Sequence, residues 1–457
     1  MIITDKNKRI FAEIVLWIIS ILVVVYAFIN AYYNVLSNDE ATTVIECQKT
    51  LSSIVGWAGE DYHPPFYYFL VSIVYHLFGD SVRAFTILSL VPLLVTILVT
   101  RFFVCKEFGY LSGIIYVLFW GMMPQSVYNL AEVRMYSWGG LFLSLSLLSF
   151  YNIVKRDLAR DWVLFGLFSI IGAYTHYFVL VHVAFFYVVL FLHQLIKKSY
   201  KNFLIVAICA VVLYLPWLAN VFRATQKAAE SFWSSWKMPW QEGIRTLFEN
   251  NWLYLIFILV FAYNIYTYAR KKEIDARFWM SLCGTVSVVA TMLFGFAFSY
   301  RVHPMYHGTY IYFASVISWL LFAINLGIKQ DVFCEILSCL SVLVIILHCY
   351  PQDMKKLDNE KTDYQFMMGL VDEYEKYEDK PKIVVYEDTH LLNVASYYFP
   401  LGRSELVEKI SDSNTQSSKW IIFNEEDESN LNIEDIDYSI VAKGRISYRN
   451  AVICETK

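Results

Sequence analysis

The chain has 457 residues, of which 57% are hydrophobic, 18% aromatic and only 17% charged, with a mean hydropathy of +0.45. These values exclude a soluble globular protein and describe a polytopic membrane protein. The net charge of −4 is unevenly held: residues 1–350 carry 24 Lys/Arg against 19 Asp/Glu and residues 351–457 carry 13 against 22, so the two parts occupy different surroundings.

A spanning helix needs about 20 mostly apolar residues. Eleven runs meet that pattern, near 10–29, 84–101, 109–127, 135–154, 162–175, 177–195, 202–218, 251–268, 278–298, 308–326 and 332–350. The first follows Lys6, Lys8 and Arg9, is longer than a signal-peptide core and has no A-x-A site after it, so it reads as an uncleaved anchor. With the N-terminus cytoplasmic, alternating spans place sixteen Lys/Arg inside, among them Arg101, Lys155, Lys197 and Arg270, and eight outside. That bias supports the orientation. The odd number of spans then puts the C-terminal segment outside.

The unusual polar residues fall on the outer face. Residues 30–83 hold Asp39, Glu40, Glu46, Glu60, Asp61 and the HPPFYYF stretch that begins at His63. Within this loop TTVIECQKTLSSIVGWA spaces its apolar residues as an interfacial helix does. FYYFLVSIVYHLFG, after Pro64 and Pro65, is too short to span and predicts a second surface or re-entrant helix. Further along come AEVRMY with Glu132, Arg134 and Tyr136, the YTHYF hairpin with His176, a loop around Trp233, Trp236 and Trp240, and YRVHPMYHGTY with Arg301 and Tyr310. The eight cysteines lack zinc-site spacing and lie mostly in apolar runs, so they read as small core residues.

An acidic pair soon after the first span, then HPP with aromatics, then E-x-R-M-Y and Y-T-H-Y, resembles the polyprenyl-phosphate-dependent membrane glycosyltransferases of the GT-C class. The likeness is to the family 39-type group related to protein O-mannosyltransferases and the lipid A aminoarabinose transferase. It covers essentially the whole chain. It implies a GT-C fold of about 11 spans, with interfacial helices in the first outer loop and a small C-terminal extracytoplasmic α/β domain. It also implies transfer of a sugar from a polyprenyl-phosphate donor, of undecaprenyl or dolichyl type, to an acceptor hydroxyl on protein, lipid or glycan at the outer face, with inversion.

On this resemblance Asp39, with Glu40 beside it, is the catalytic carboxylate that takes the acceptor proton. Arg134, and second Arg301, meet the charge growing on the leaving lipid phosphate. His63, Glu132, Tyr136, His176 and Tyr310 are the expected substrate contacts. Some members of the class hold a divalent cation near the acidic loop, but no metal ligand is assigned, and Pro304 between His303 and His307 favours a turn over a helical metal pair. Many relatives carry P-R-Y where this chain has HGTY, with Thr309 at the arginine position. Arg301, eight residues earlier, is the candidate replacement; without it, donor choice or activity is open.

Each residue has a plainer alternative. Asn38-Asp39 suits a helix N-cap, Glu132 and Arg134 suit an ion pair, and His63 and His176 are equally readable as packed histidines. Two other functions also stay open: a lipid-binding or envelope-assembly scaffold, and a lipid-linked sugar transporter, although mid-span charges and repeated halves are lacking.

Residues 351–457 read as a separate acidic unit. A polar helix over 364–377 precedes a strand KIVVYE, a helix THLLNVASYYF, a strand WIIF and closing strands SIVAKG and AVICET. The β-α-β order predicts a partly parallel sheet. The unit has no phosphate-binding Gly-rich loop, reads as a support or acceptor-docking domain, and contains NEEDES (424–429), expected as a solvated loop.

Overall fold

The computed structural model describes residues 5–231, 237–271, 274–304, 306, 308–326, 332–376, 382–386, 389–399, 404–407, 418–424, 438–446 and 449–456. Trp233, Trp236, His307 and residues 425–429 of the acidic run, on which expectations were set, lie outside the described residues. Among the described residues nine helices are long and apolar enough to cross a membrane: Asn7–Tyr32, Val82–Phe108, Tyr136–Arg156, Tyr177–Lys197, Lys201–Lys227, Asn251–Arg270, Ala276–Arg301, Gly308–Leu326 and Phe333–Glu375. The other two expected spans are shorter. One is Ala159–Ala173, of 15 residues, and the other Tyr110–Met122, of 13. The apolar run of the latter continues past Met123, but Pro124 opens a new helix, Pro124–Ala131.

The bundle is built around Gly308–Leu326, almost wholly buried, and Tyr136–Arg156, nearly so. Both are apolar on every side or lined with small residues, as helices enclosed by other helices require. A side chain at Gly139 would stand 2.6 Å from the ring of Phe313, so a glycine here lets the two central helices close.

The connections sort to two ends. At one end Arg101 pairs with Glu13, Tyr151 and Lys155 donate to Glu107 and Arg277 donates to the Glu107 carbonyl, which gathers basic residues from three connections. At the other end Lys227 donates to the Glu60 carbonyl, Phe66 N–H to the Tyr174 carbonyl and Gln125 to the Gly308 carbonyl. The first polar loop lies at this second end as three helices, Asn38–Cys47, Leu51–Glu60 and Phe66–Phe78. The interfacial stretch expected over TTVIECQKTLSSIVGWA is thus divided, with Thr50 capping its second half. Phe66–Phe78 forms the short helix read from its length, with Pro65 at the N-cap.

The last apolar helix runs through a π-helical turn, Ile345–Cys349, into Tyr350–Glu375 and so carries the chain from the bundle into the C-terminal unit. That unit has five strands, β1 (Lys382–Tyr386), β2 (Ser404–Val407), β3 (Ser418–Asn424), β4 (Tyr438–Ile446) and β5 (Arg449–Thr456), in the order β2-β1-β3-β5-β4. The β2-β1-β3 pairings are parallel, and β5 runs antiparallel to β3 and β4. Trp420, Ile422 and Ile453 of the sheet share a core with Leu370 and Tyr374 of the long helix and Leu391 and Phe399. The helix Thr389–Tyr398 also packs on Asn38–Cys47 and so brings the unit against the first polar loop.

Candidate functional site

Ser37 caps the helix Asn38–Cys47, and Glu40 completes a capping box: Glu40 N–H donates to Ser37 Oγ at 3.5 Å and Ser37 N–H to Glu40 Oε2 at 2.7 Å. The cap is therefore Ser37 rather than Asn38. Glu40 Oε1 accepts two more bonds, from Asn34 Nδ2 at 2.8 Å and from Val133 N–H at 2.6 Å. Glu40 is buried, whereas Asp39, on the next face of the helix, is exposed. Burial raises the Glu40 pKa against the opposing pull of the Ser37, Val133 and Asn34 donors.

AEVRMY lies in the turn between Pro124–Ala131 and Tyr136–Arg156. Arg134 is only 4% exposed. One guanidinium nitrogen donates to Thr43 Oγ1 at 2.7 Å and to the Asp39 carbonyl at 3.3 Å, and the other stands 3.3 Å from His63 Nδ1. Glu132 does not pair with it: among the described residues no carboxylate lies within ion-pair distance of Arg134. Glu132 accepts from Tyr128 at 3.3 Å, and its pKa is pushed to about 8, first by burial and then by the like charge of Glu40, against the pull of Arg134.

His63 stands just after Asp61, whose Oδ2 is 3.2 Å from His63 Nδ1 and accepts from Tyr68 at 2.7 Å. Burial would raise the Asp61 pKa, but the His63 contact, the Arg134 charge and the Tyr68 bond outweigh it and hold the carboxyl well below its usual range. His63 Nδ1 can donate to Asp61 or accept from Arg134, not both at once. His176 caps Tyr177–Lys197 through Nδ1, which accepts from Phe178 N–H at 3.1 Å. Its ring lies 5.2 Å from His63, 5.8 Å from Tyr136 and 5.3 Å from Tyr310. Burial, with the nearby Arg134 charge, holds the His176 pKa well below its usual value, so the ring is neutral.

Three buried polar atoms of this cluster have no partner among the described residues: Arg134 Nε, Glu132 Oε2 and His176 Nε2. Native interiors satisfy such groups, so their concentration around one arginine marks a place where a polar ligand fits. Beside them a cavity of about 120 Å³ is lined by Tyr62, His63, His176, Tyr310 and apolar residues such as Phe178 and Phe298.

The structure thus brings together Asp39, Glu40, His63, Glu132, Arg134, Tyr136, His176 and Tyr310, from five segments of the chain. Arg301 is exposed at the C-terminal end of Ala276–Arg301 and makes none of these contacts, and Thr309 begins the neighbouring central helix. Asp61, Thr43 and Tyr68 were missed as site residues, although the D-x-H spacing just before Pro64 was a usable signal. Among the described residues no three His, Cys, Asp or Glu side chains are arranged to hold a metal ion. Glu40 in particular spends its carboxylate on N–H donors, so the residues present do not suit a cation shared between Asp39 and Glu40.

Residues 62–219 match the model of the dolichyl-phosphate-mannose-protein mannosyltransferase family. Over its length the structure is similar to the crystal structure of ArnT from Cupriavidus metallidurans bound to undecaprenyl phosphate, with a TM-score of 0.62, 12% identity and 98% of each chain covered. The chain has a GT-C fold. The same ArnT in the apo state gives a TM-score of 0.61 at 12% identity, over 97% of this chain and 98% of that one. The archaeal oligosaccharyltransferase AglB from Archaeoglobus fulgidus, in complex with an inhibitory peptide and a dolichol-phosphate, gives 0.53 at 11% identity, over 92% of this chain and 70% of that one. No curated protein matches the chain by sequence. The resemblance read from the motifs holds for the family match and the fold, and the protein is a multi-pass membrane protein. The family stretch includes His63, Glu132, Arg134, Tyr136 and His176, while Asp39, Glu40, Arg301 and Tyr310 lie outside it.

Proposed function

We propose that this GT-C protein transfers a sugar from a polyprenyl-phosphate carrier to an acceptor hydroxyl, with Asp39 as the base and Arg134 as the contact to the donor phosphate. The observation that carries the reading is a buried guanidinium with an unpartnered Nε and no carboxylate of its own. A buried cation with no carboxylate in ion-pair contact among the described residues is costly, and an anionic ligand seated beside Arg134 lowers that cost. ArnT and AglB, with the same fold, have been seen with undecaprenyl phosphate and with a dolichol-phosphate.

In the step, the acceptor O–H proton passes to an Asp39 carboxylate oxygen as the acceptor oxygen attacks the anomeric carbon. The bond from that carbon to the phosphate oxygen breaks and its electron pair stays on the phosphate, which gains one negative charge. Arg134, already fixed by Thr43 and the Asp39 carbonyl, meets that charge without reorganising. A single displacement inverts the anomeric configuration. Glu40 then serves to hold the loop, and His63, Glu132, Tyr136, His176 and Tyr310 shape the pocket for donor and acceptor.

The site end is the extracytoplasmic face in this reading, because the basic clusters gather at the opposite end. Residues 1–350 form the transferase and 351–457 an extracytoplasmic domain that supports the first outer loop. The test is to incubate purified protein with polyprenyl-phosphate sugars and cell-envelope extract and follow the donor by mass spectrometry. Consumption of a donor with release of free polyprenyl phosphate is expected, and no consumption across mannose, glucose, galactose and aminoarabinose donors contradicts the proposal.

A further inference from the structure

Two amides link the C-terminal unit to Asp39. Asn393 Nδ2, on the helix Thr389–Tyr398, donates to Asn38 Oδ1 at 2.6 Å, and Asn38 Nδ2 donates to Asp39 Oδ1 at 3.1 Å. Chemistry forces the direction of this relay. A carboxylate in contact with an amide accepts, so Asn38 must turn its NH2 towards Asp39. Its carbonyl then faces Asn393, which must present its own NH2. Asn393, by donating to the Asn38 carbonyl, holds the Asn38 amide in that orientation from the other side.

The need for such a device follows from Asp39 itself. Its carboxylate is exposed and, unlike Glu40, is not held by backbone donors among the described residues. A general base works only within hydrogen-bond reach of the proton it takes, and small misplacements are costly in rate. We infer that Asn393 is a positioning residue: through Asn38 it holds the Asp39 carboxylate in the orientation from which it takes the acceptor proton. The C-terminal unit would then complete the catalytic arrangement. This inference rests on the reading of Asp39 as the base.

Two further contacts dock the same helix independently of Asn393. Tyr398 Oη accepts from Leu36 N–H at 3.0 Å, and Tyr397 Oη donates to Asp80 Oδ1 at 2.7 Å. Substitution at 393 therefore leaves the helix in place, and its effect can be told apart from undocking.

The experiment compares wild type with Asn393→Ala, Asn393→Asp, Asn38→Ala, the Asn38→Ala/Asn393→Ala pair and Asp39→Asn, all full length in detergent, for kcat, KM for the donor and thermal stability. Asn393→Ala should lower kcat roughly 5- to 20-fold with KM unchanged. Asn393→Asp, isosteric but presenting only acceptors, turns the Asn38 amide around and should lower kcat further. The pair should be no slower than Asn38→Ala alone, because both side chains act through one contact. Wild-type kcat in both Asn393 variants, with Asp39→Asn inactive, overturns the inference and leaves the reading of Asp39 standing. A rise in KM with kcat unchanged, or a kcat loss that follows only a loss of thermal stability, also overturns it. Full activity of Asp39→Asn, or no donor consumption by wild type, overturns the reading of the site and the inference with it.

Discussion

Val133 N–H donates to Glu40 Oε1 at 2.6 Å, a bond that ties the first polar loop to the AEVRMY turn across 93 positions of sequence. Adjacent carboxylates are thereby divided in role, with Glu40 buried against backbone donors and Asp39 exposed beside the cluster. Glu40→Gln keeps one acceptor but turns an NH2 towards another donor. A buried mismatch of this kind costs about 1–3 kcal/mol. The expected result is a lower melting temperature together with lower donor turnover, whereas Asp39→Asn lowers turnover at an unchanged melting temperature. Thermal unfolding of both variants in detergent checks the division.

Glu132 supplies a pH signature. Its carboxyl titrates near 4.5 when unfolded and is pushed to about 8 in the folded protein. The folded state therefore holds more protons between those values, and this group's contribution to stability falls as pH rises from about 5 to about 8. Glu132→Gln removes that term. Relative to wild type, the variant should melt at a higher temperature at pH 8.5 than it does at pH 5.5, which thermal scans at the two pH values measure.

Arg134 meets Thr43 and the Asp39 carbonyl through one terminal nitrogen and faces His63 with the other. Lysine offers one point charge and cannot span these partners. Arg134→Lys should lower kcat by about 10²-fold, the scale seen when a donor to developing charge is lost. Retained turnover with a modest rise in donor KM would instead make Arg134 a ground-state contact.

Sidedness has a direct test. Glu60 is exposed at the site end and Ser199 at the opposite end, after Tyr177–Lys197. In a background where the native cysteines are serine, Glu60→Cys should react with a membrane-impermeant maleimide in intact cells. Ser199→Cys should react only after permeabilisation. The reverse pattern would move the site to the cytoplasmic face.

Much of the fold was legible because hydrophobic length is a strong signal in membrane proteins. Nine of the eleven expected spans correspond to helices long enough to cross. Tyr110–Met122 was drawn too long because apolar residues run on past Met123, although Pro124 restarts the helix there. The helix lies largely buried, where enclosure by neighbours rather than bilayer thickness sets the demand on length. In the C-terminal unit the strands with β-branched or aromatic runs were found, while β2, four residues reading SELV, carries no such pattern. At the site, Asp39, Arg134, His63 and His176 stood out as polar groups at helix mouths. The separation of Asp39 from Glu40 did not, because it depends on Val133, and the relay from Asn393 crosses 355 positions. Contacts between distant segments leave no local pattern to read.

In the proposed reaction Asp39 performs chemistry and does not merely hold structure. The measurement that tests it most directly is single-turnover transfer from a consumed polyprenyl-phosphate sugar by wild type and Asp39→Asn, with donor binding measured in parallel. Asp39→Asn should bind the donor as wild type does, fold with the same thermal stability and form product at least about 10³-fold more slowly, towards the upper end of what a lost general base costs. Product formation within a factor of two or three of wild type would contradict that role.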